Sequence, residues 1–429
     1  MSLRLRVHPE GIRAVRHNGR SWLASPARVP TFINMLKIRS RIAPPIHRLQ
    51  RNVQIRAWDC LAALQSSRPL ETSFTLWTSP ADASRRAADS PLKPYLCQLH
   101  RNVLIEPVYG FAIADYGLLI ETSVSNAYAV RDPVLRQVGA LPSPARYFNA
   151  RTRRRYRSDL ESVISLGTLW CSNYFHFYRD FLPKMLLLEE SNIDPALPVI
   201  VEDRLFDQPF FREAIQSKRL SRWNFMSPRG QFIKTESVVF CSANQYFLPD
   251  RRVSPDSTLL SRASAGTKFL ESPGEVLALL DLDDGRQQRS AERRIFLTRS
   301  TTRGRTLSNY EELEGLLHEW NFETVDTDGM SLREQAHIFR GCRYVIGIHG
   351  AGLTNIIHAH DHDLSLLELR PPGEEHLITD YAQMCHSFGF AHQELFGASQ
   401  HGSRDASFRI ERADLRAAIN RMFTPPPST

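Results

Sequence analysis

RRIFLTRS (293–300), YVIGIHGAGLTN (344–355) and LSLLELRPPG (364–373) are the stretches whose reading decides the fold. Each holds a short apolar run without polar alternation, and each run stops at a charged residue, a histidine or a glycine. Runs of that kind are buried on both faces, as in parallel sheets flanked by helices. The segments between them read as helices. Ser308 with Glu311 and Ser331 with Glu334 have capping-box spacing, which closes orphan N–H groups at a helix start. Leu313, Leu316, Leu317 and Trp320 then share one helical face, as do Leu332, Ala336 and Phe339. With strand FETVD (322–326) and an amphipathic closing helix over 411–422, the region from 250 to 429 predicts an alternating α/β domain.

In such a sheet ligands sit beyond the carboxyl ends of the strands. Arg299, His349 and Glu368 fall there. Gly350 and Gly352 allow close backbone approach, and the helix start around Leu353, Thr354 and Asn355 offers N–H groups to a phosphate. Taken singly, the glycines also fit a tight turn, His349 a core histidine, and Arg299 with Glu368 an ion pair. Jointly they describe a nucleotide pocket.

Upstream, HRNVLIEP (100–107), YGFAIAD (109–115) and YGLLIET (116–122) read as strands. A strand at 163–166, a helix at 173–190, a strand at 198–201, a helix near 208–219 and strand SVVFC (237–241) follow, alternating as in a doubly wound sheet. PDRRVSPDS marks a boundary near Pro249, giving an α/β domain over 98–249 after a helical linker over 59–97. In the helix at 173–190, Asn173, His176 and Asp180 form one polar stripe, and Pro183 predicts a kink. The stripe reads either as a network that orients the helix or as an imidazole and carboxylate poised for proton abstraction. RTRRRYR (151–157) reads as a solvated charge run before it reads as a site for an acidic acceptor.

The 429 residues, 42% hydrophobic and 23% charged, exclude a small disulfide scaffold and a disordered chain. Cys60, Cys97, Cys171, Cys241, Cys342 and Cys385 are scattered without a CxxC pair, which predicts reduced thiols. No apolar run is long enough to span a bilayer or to form a secretory signal, so a cytoplasmic protein is expected. Residues 1–58 hold eleven Arg and one Lys against Glu10, a net +11, so the remainder carries −3 of the overall +8. That remainder is unlike a nucleic-acid binder. The segment itself reads as a basic arm; peripheral contact with anionic membrane is the second reading and a mitochondrial transit peptide the third. His358, His360, Asp361, His362 and Asp363 lack the one-face spacing of a helical metal site and read as a polar surface loop, so no metal is expected.

NYFHFYRDFLPKMLLLEE (173–190) and the blocks quoted at the outset resemble the family 61 glycosyltransferases. The resemblance spans about Gln98 to Phe396 and is weak between the blocks. It implies two Rossmann-like domains facing a cleft, the GT-B arrangement. The C-terminal domain would hold a nucleotide sugar, a UDP-sugar, and the other would hold a glycan or other hydroxyl acceptor. It further implies inversion in a single displacement with no obligatory metal or other cofactor. Carried over residue by residue, Arg299 and His349 would face the diphosphate beside the backbone of Gly350, Ala351, Gly352, Thr354 and Asn355. Glu368 would accept from the ribose hydroxyls, Asp180 or His176 would be the base, and Asn173 would orient the helix. The family's Ile-Ser-Arg is Leu-Thr-Arg here, and both Arg303 and Arg305 are open as the second phosphate contact. His349-Gly350-Ala351-Gly352 also resembles the oxyanion segment of lipase-like hydrolases, but no GxSxG elbow exists anywhere in the chain. A non-catalytic sugar-nucleotide or membrane binder is the remaining alternative.

Overall fold

The computed structural model describes residues 3–6, 71–77, 96–105, 112–113, 156–166, 171–241, 268–282, 293–299, 305–373, 380–398 and 407–423. Two compact units divide the chain. The first takes Met1–Ser172, Lys184–Gln208 and Ser221–Gln245; the second takes Asn173–Pro183, Pro209–Leu220 and Tyr246–Thr429. The division is therefore not a single cut near Pro249.

Among the described residues of the first unit, nine strands form one sheet: β1 (Leu3–Arg6), β2 (Glu71–Trp77), β3 (Leu96–Ile105), β4 (Ala112–Ile113), β5 (Tyr156–Arg157), β6 (Ser162–Ser165), β7 (Pro198–Ile200), β8 (Asn224–Met226) and β9 (Phe232–Cys241). Their order is β1-β2-β3-β9-β6-β7-β8, with β4 on β3 and β5 on β9. The pairs from β9 through β6 and β7 to β8 are parallel, whereas β1/β2, β2/β3 and β3/β9 are antiparallel. A doubly wound reading thus holds for one half only. The physical reason is legible in β9, where exposed Lys234 and Glu236 alternate with buried Ile233 and Thr235, the pattern of a sheet with one solvated face. Strand β1 lies within the basic arm; the rest of residues 1–58, the segment YGLLIET and most of RTRRRYR fall outside the described residues. Among those described, no helix is long and apolar enough to cross a membrane.

The second unit contains β10 (Arg293–Leu297), β11 (Glu323–Val325), β12 (Cys342–Ile348), β13 (Ser365–Arg370) and β14 (Ala391–Phe396). All neighbours are parallel, in the order β11-β10-β12-β13-β14. Counted along the chain this is 2-1-3-4-5, so the winding reverses between β10 and β12. One side of the sheet carries a core in which Phe296, Ile346, Leu367 and Leu369 meet Leu313, Leu316 and Leu317 of the helix Tyr310–Glu319 and Leu415 and Ile419 of the helix Arg412–Phe423.

Ser331 and Glu334 form the expected capping box at the start of Leu332–Arg340. The other box does not form. Asn309, not Ser308, occupies the N-cap, and its amide is spent on the Ile410 backbone while the Ser308 hydroxyl donates to the Phe408 carbonyl. The helix expected over 173–190 is present with a π-turn: Tyr174–His176 and Leu182–Glu190 are α, and Phe177–Phe181 is π. The Leu182 N–H reaches back to the Phe177 carbonyl, one residue farther than in an α-helix, immediately before Pro183, which has no N–H to continue the α pattern. Phe177 and Phe181 stack on each other and pack against Phe211, which explains why this short segment belongs to the second unit.

Candidate active site

The reversal between β10 and β12 places two polar residues side by side in the second unit. Arg299 lies two residues beyond β10, His349 directly follows β12, and the Arg299 guanidinium donates from Nη1 to the His349 carbonyl at 3.1 Å. Arg305 aims at the same carbonyl from 3.5 Å. Of the two arginines left open by the sequence, Arg305 is thus gathered here, whereas Arg303 lies outside the described residues.

Gly350 follows in an extended conformation that any residue adopts, so backbone strain is not what requires glycine. Close approach is: a Cβ there would stand 2.5 Å from Arg299 Nη1. Gly352 is less crowded, since a Cβ there would stand 3.3 Å from the Leu297 side chain and 3.5 Å from that of Thr327. Ala351–Ala359 then form a 3-10 helix, and Tyr381 donates its phenol to the Gly350 carbonyl at 2.6 Å while its ring meets His349 edge-on.

Two residues of this turn have buried side chains, so only their backbone remains for a ligand. Asn355 is fully buried; its amide donates to Gln335 Oε1 and to the Gly352 carbonyl, and its oxygen accepts from Tyr174. It ties the 3-10 helix to two neighbouring helices. Thr354 is also fully buried, beside the Tyr381 phenol.

Glu368 is fully buried as well, and both its oxygens are engaged. His349 Nδ1 donates to Oε1, and His392 Nε2, on β14, donates to Oε2 at 3.1 Å. No surface remains for a ribose, so the ribose role expected for Glu368 does not fit. Burial by itself pushes this carboxyl up, but the two imidazole donors and their charge outweigh it and hold the group at about 2. His392 had no signal in the sequence: AHQELF is half-exposed along its length and lacks the apolar run that marks β12 and β13.

His358 departs from the surface-loop reading because the 3-10 helix runs through it. It is buried against Tyr178, its Nδ1 has no hydrogen-bond partner, and burial depresses its basicity to about 3. The histidine and aspartate run does not converge; the sole candidate metal cluster among the described residues is Glu368, His392 and Glu394. Glu394 there already holds Arg370, at 2.7 Å.

The polar stripe of the π-turn segment resolves into two parts. Asn173 is the N-cap, its side chain accepting from the Phe175 N–H at 2.9 Å, which is an orienting role. His176 Nδ1 donates to Asp180 Oδ2 at 2.6 Å, with about a fifth of each side chain exposed. Buried Arg179 lies under the Phe175 ring, 3.8 Å from Asp180 and 3.4 Å from Asp380. Phe175 in turn meets Tyr381, the residue that flanks His349. Both imidazole–carboxylate pairs therefore stand in one unit, joined by a short chain of aromatic contacts.

Residues 174–364 match the family model described as Glycosyltransferase 61. The matched stretch includes His176, Asp180, Arg299, Arg305 and His349 and stops short of Glu368 and His392. A search of curated proteins gave no match.

Proposed function

Because residues 174–364 match the Glycosyltransferase 61 model, we propose that the chain is a glycosyltransferase of that family that inverts anomeric configuration, moving a sugar from a nucleoside diphosphate donor, a UDP-sugar, to a hydroxyl of a glycan or other acceptor. The observation that carries this reading is the convergence of Arg299 and Arg305 on the His349 carbonyl at the point where the winding reverses, beside a Gly350 that leaves room for Arg299. Two guanidinium groups at a strand-to-helix turn fit a diphosphate, and the backbone of Gly350, Ala351 and Gly352 adds N–H groups at a helix start. On this reading the unit is the donor-holding Rossmann-like half of a GT-B arrangement.

The chemistry follows from the two pairs. Because Asp180 accepts from His176 Nδ1, the imidazole presents Nε2 as the basic nitrogen, and Asp180 is the positioning partner. His176 takes the acceptor proton as that oxygen bonds to the anomeric carbon and the carbon–oxygen bond to the diphosphate breaks. Arg299, Arg305 and His349 stabilise the departing charge, so a divalent ion is not obligatory.

Thermal unfolding with panels of UDP-, GDP- and CMP-sugars tests the donor. Stabilisation by UDP-sugars is expected, and stabilisation by none of the three classes would overturn the reading. Turnover is expected to survive EDTA; loss restored only by a divalent ion would overturn the metal-independent step.

A further inference from the structure

Strand β13 has two unlike faces. Leu367 and Leu369 enter the apolar core, while Leu366, Glu368 and Arg370 point the other way, and the last two are buried charges. On that same face, β14 supplies His392 and Glu394, with Glu368 in register with Glu394. Buried ions are costly, and well-packed apolar residues often replace them without loss of stability. A sheet needing only cohesion has no use for a carboxylate here. What Glu368 gains is a hold on His349.

We propose that His392 is a positioning residue of the donor site, acting through Glu368 to fix the orientation and the Nδ1–H bond of the His349 ring that meets the diphosphate. The proposal rests on the donor-site reading given above. A carboxylate bonded only by His349 could rotate; the donation from His392 to Oε2 fixes its plane, so Oε1 stays where His349 Nδ1–H can reach it. Nδ1–H is thereby committed to Glu368, so the ring can donate to a diphosphate only as the imidazolium, through Nε2–H, the nitrogen turned away from Glu368, on a ring about one-sixth exposed. Tyr381 closes the flank of that ring. Glu394 does not compete for His392, because Arg370, itself lying over Phe396, takes its carboxylate. That guanidinium also argues against a cation among Glu368, His392 and Glu394.

The test uses the full chain with His392→Phe, which fills the space but cannot donate, and His392→Gln, whose amide can still donate to Glu368. UDP and UMP binding are measured by calorimetry, alongside melting temperature and 15N spectra of labelled histidines. The Phe variant is expected to bind UDP about ten- to a hundredfold more weakly, the range for a hydrogen bond to a charged group. UMP binding should change far less, melting should be little altered, and the Gln variant should recover most of the UDP affinity. The His349 signal should report an Nδ1–H bonded to Glu368 together with a protonated Nε2 in the UDP-bound parent, and lose the Nδ1 bond in the Phe variant. Parent and Phe variant binding UDP equally, with an unchanged His349 signal, would overturn the relay and leave the donor site standing. UDP and UMP weakened together, with lowered melting and no rescue by Gln, would overturn it in favour of a structural brace. Parent protein that binds no nucleoside diphosphate would refute the donor-site reading and this functional role with it, while the histidine spectra would still decide whether His392 sets the Nδ1 bond to Glu368.

Discussion

His176 with Asp180 and His349 with Glu368 are both imidazoles bonded through Nδ1 to a carboxylate, yet their surroundings differ. Asp180 is partly open and has Arg179 beside it, while Glu368 is sealed from solvent and shared between two imidazoles. One pair sits on a π-turn and the other at a strand end. A base must release its proton after each turnover, which favours contact with solvent; a charge that stabilises a leaving group serves best when its environment does not rearrange. Under the proposed function, the contrast sets the same two residue types for proton traffic in one place and for a fixed field in the other.

The largest effect that sharpens this contrast is on turnover. His176→Ala is expected to lower kcat about a hundredfold or more with UDP affinity nearly unchanged, since base catalysis contributes on that scale. Asp180→Asn should act in the same direction with the fold intact. Steady-state kinetics with calorimetric UDP binding checks both, and normal turnover in a folded His176→Ala protein would reduce the polar stripe to a brace.

Next in size, Arg299→Ala removes a cation from the other pair's neighbourhood. It should weaken UDP binding by about 1.5–3 kcal/mol, the range for a charged hydrogen bond, leaving UMP less affected. Equal losses for UDP and UMP would place Arg299 away from the diphosphate. Gly350→Ala is milder, because the Cβ would push only the far end of the Arg299 side chain. A rise in donor KM of a few-fold, with melting unchanged, is expected, at roughly 1 kcal/mol or less.

The last effect concerns stability alone. His358 titrates near 3 when folded against an ordinary 6.5, so the unfolded chain binds the extra proton as pH falls below 6.5 and stability declines until about pH 3. Denaturant unfolding should lose about 2 kcal/mol between pH 6.5 and pH 5 through this group. His358→Phe should flatten that part of the profile; an unchanged slope would assign it elsewhere. Glu368 acts lower, its contribution being complete above an ordinary 4.5 and lost as pH falls toward 2.

What the sequence disclosed follows from burial. Strands β10, β12 and β13 are apolar runs because both faces of a parallel sheet are covered, and their carboxyl ends pointed to Arg299 and His349 before any coordinates. The antiparallel half of the first sheet was missed because its pairing depends on partners distant along the chain, which local alternation does not identify. The side-chain role of Asn355 was not legible, because an asparagine after a glycine turn looks alike whether its amide is exposed or bonded to three protein groups. His392 was invisible for the opposite reason: nothing in its own strand is distinctive, and its meaning lies in the carboxylate on the neighbouring strand.

The placement of Asn173–Pro183 bears on how the chain is made. During synthesis this segment leaves the ribosome more than a hundred residues before β10, yet it is grouped with the unit that β10 helps to build. Phe177 and Phe181 meet Phe211 about thirty residues on, but Phe175 must wait for Phe269 and Tyr381, a sequence separation that slows folding and exposes sticky surface. A fragment beginning at Tyr246 would meet the converse problem, keeping every strand of the parallel sheet but lacking the aromatic plug that the nascent chain supplied early.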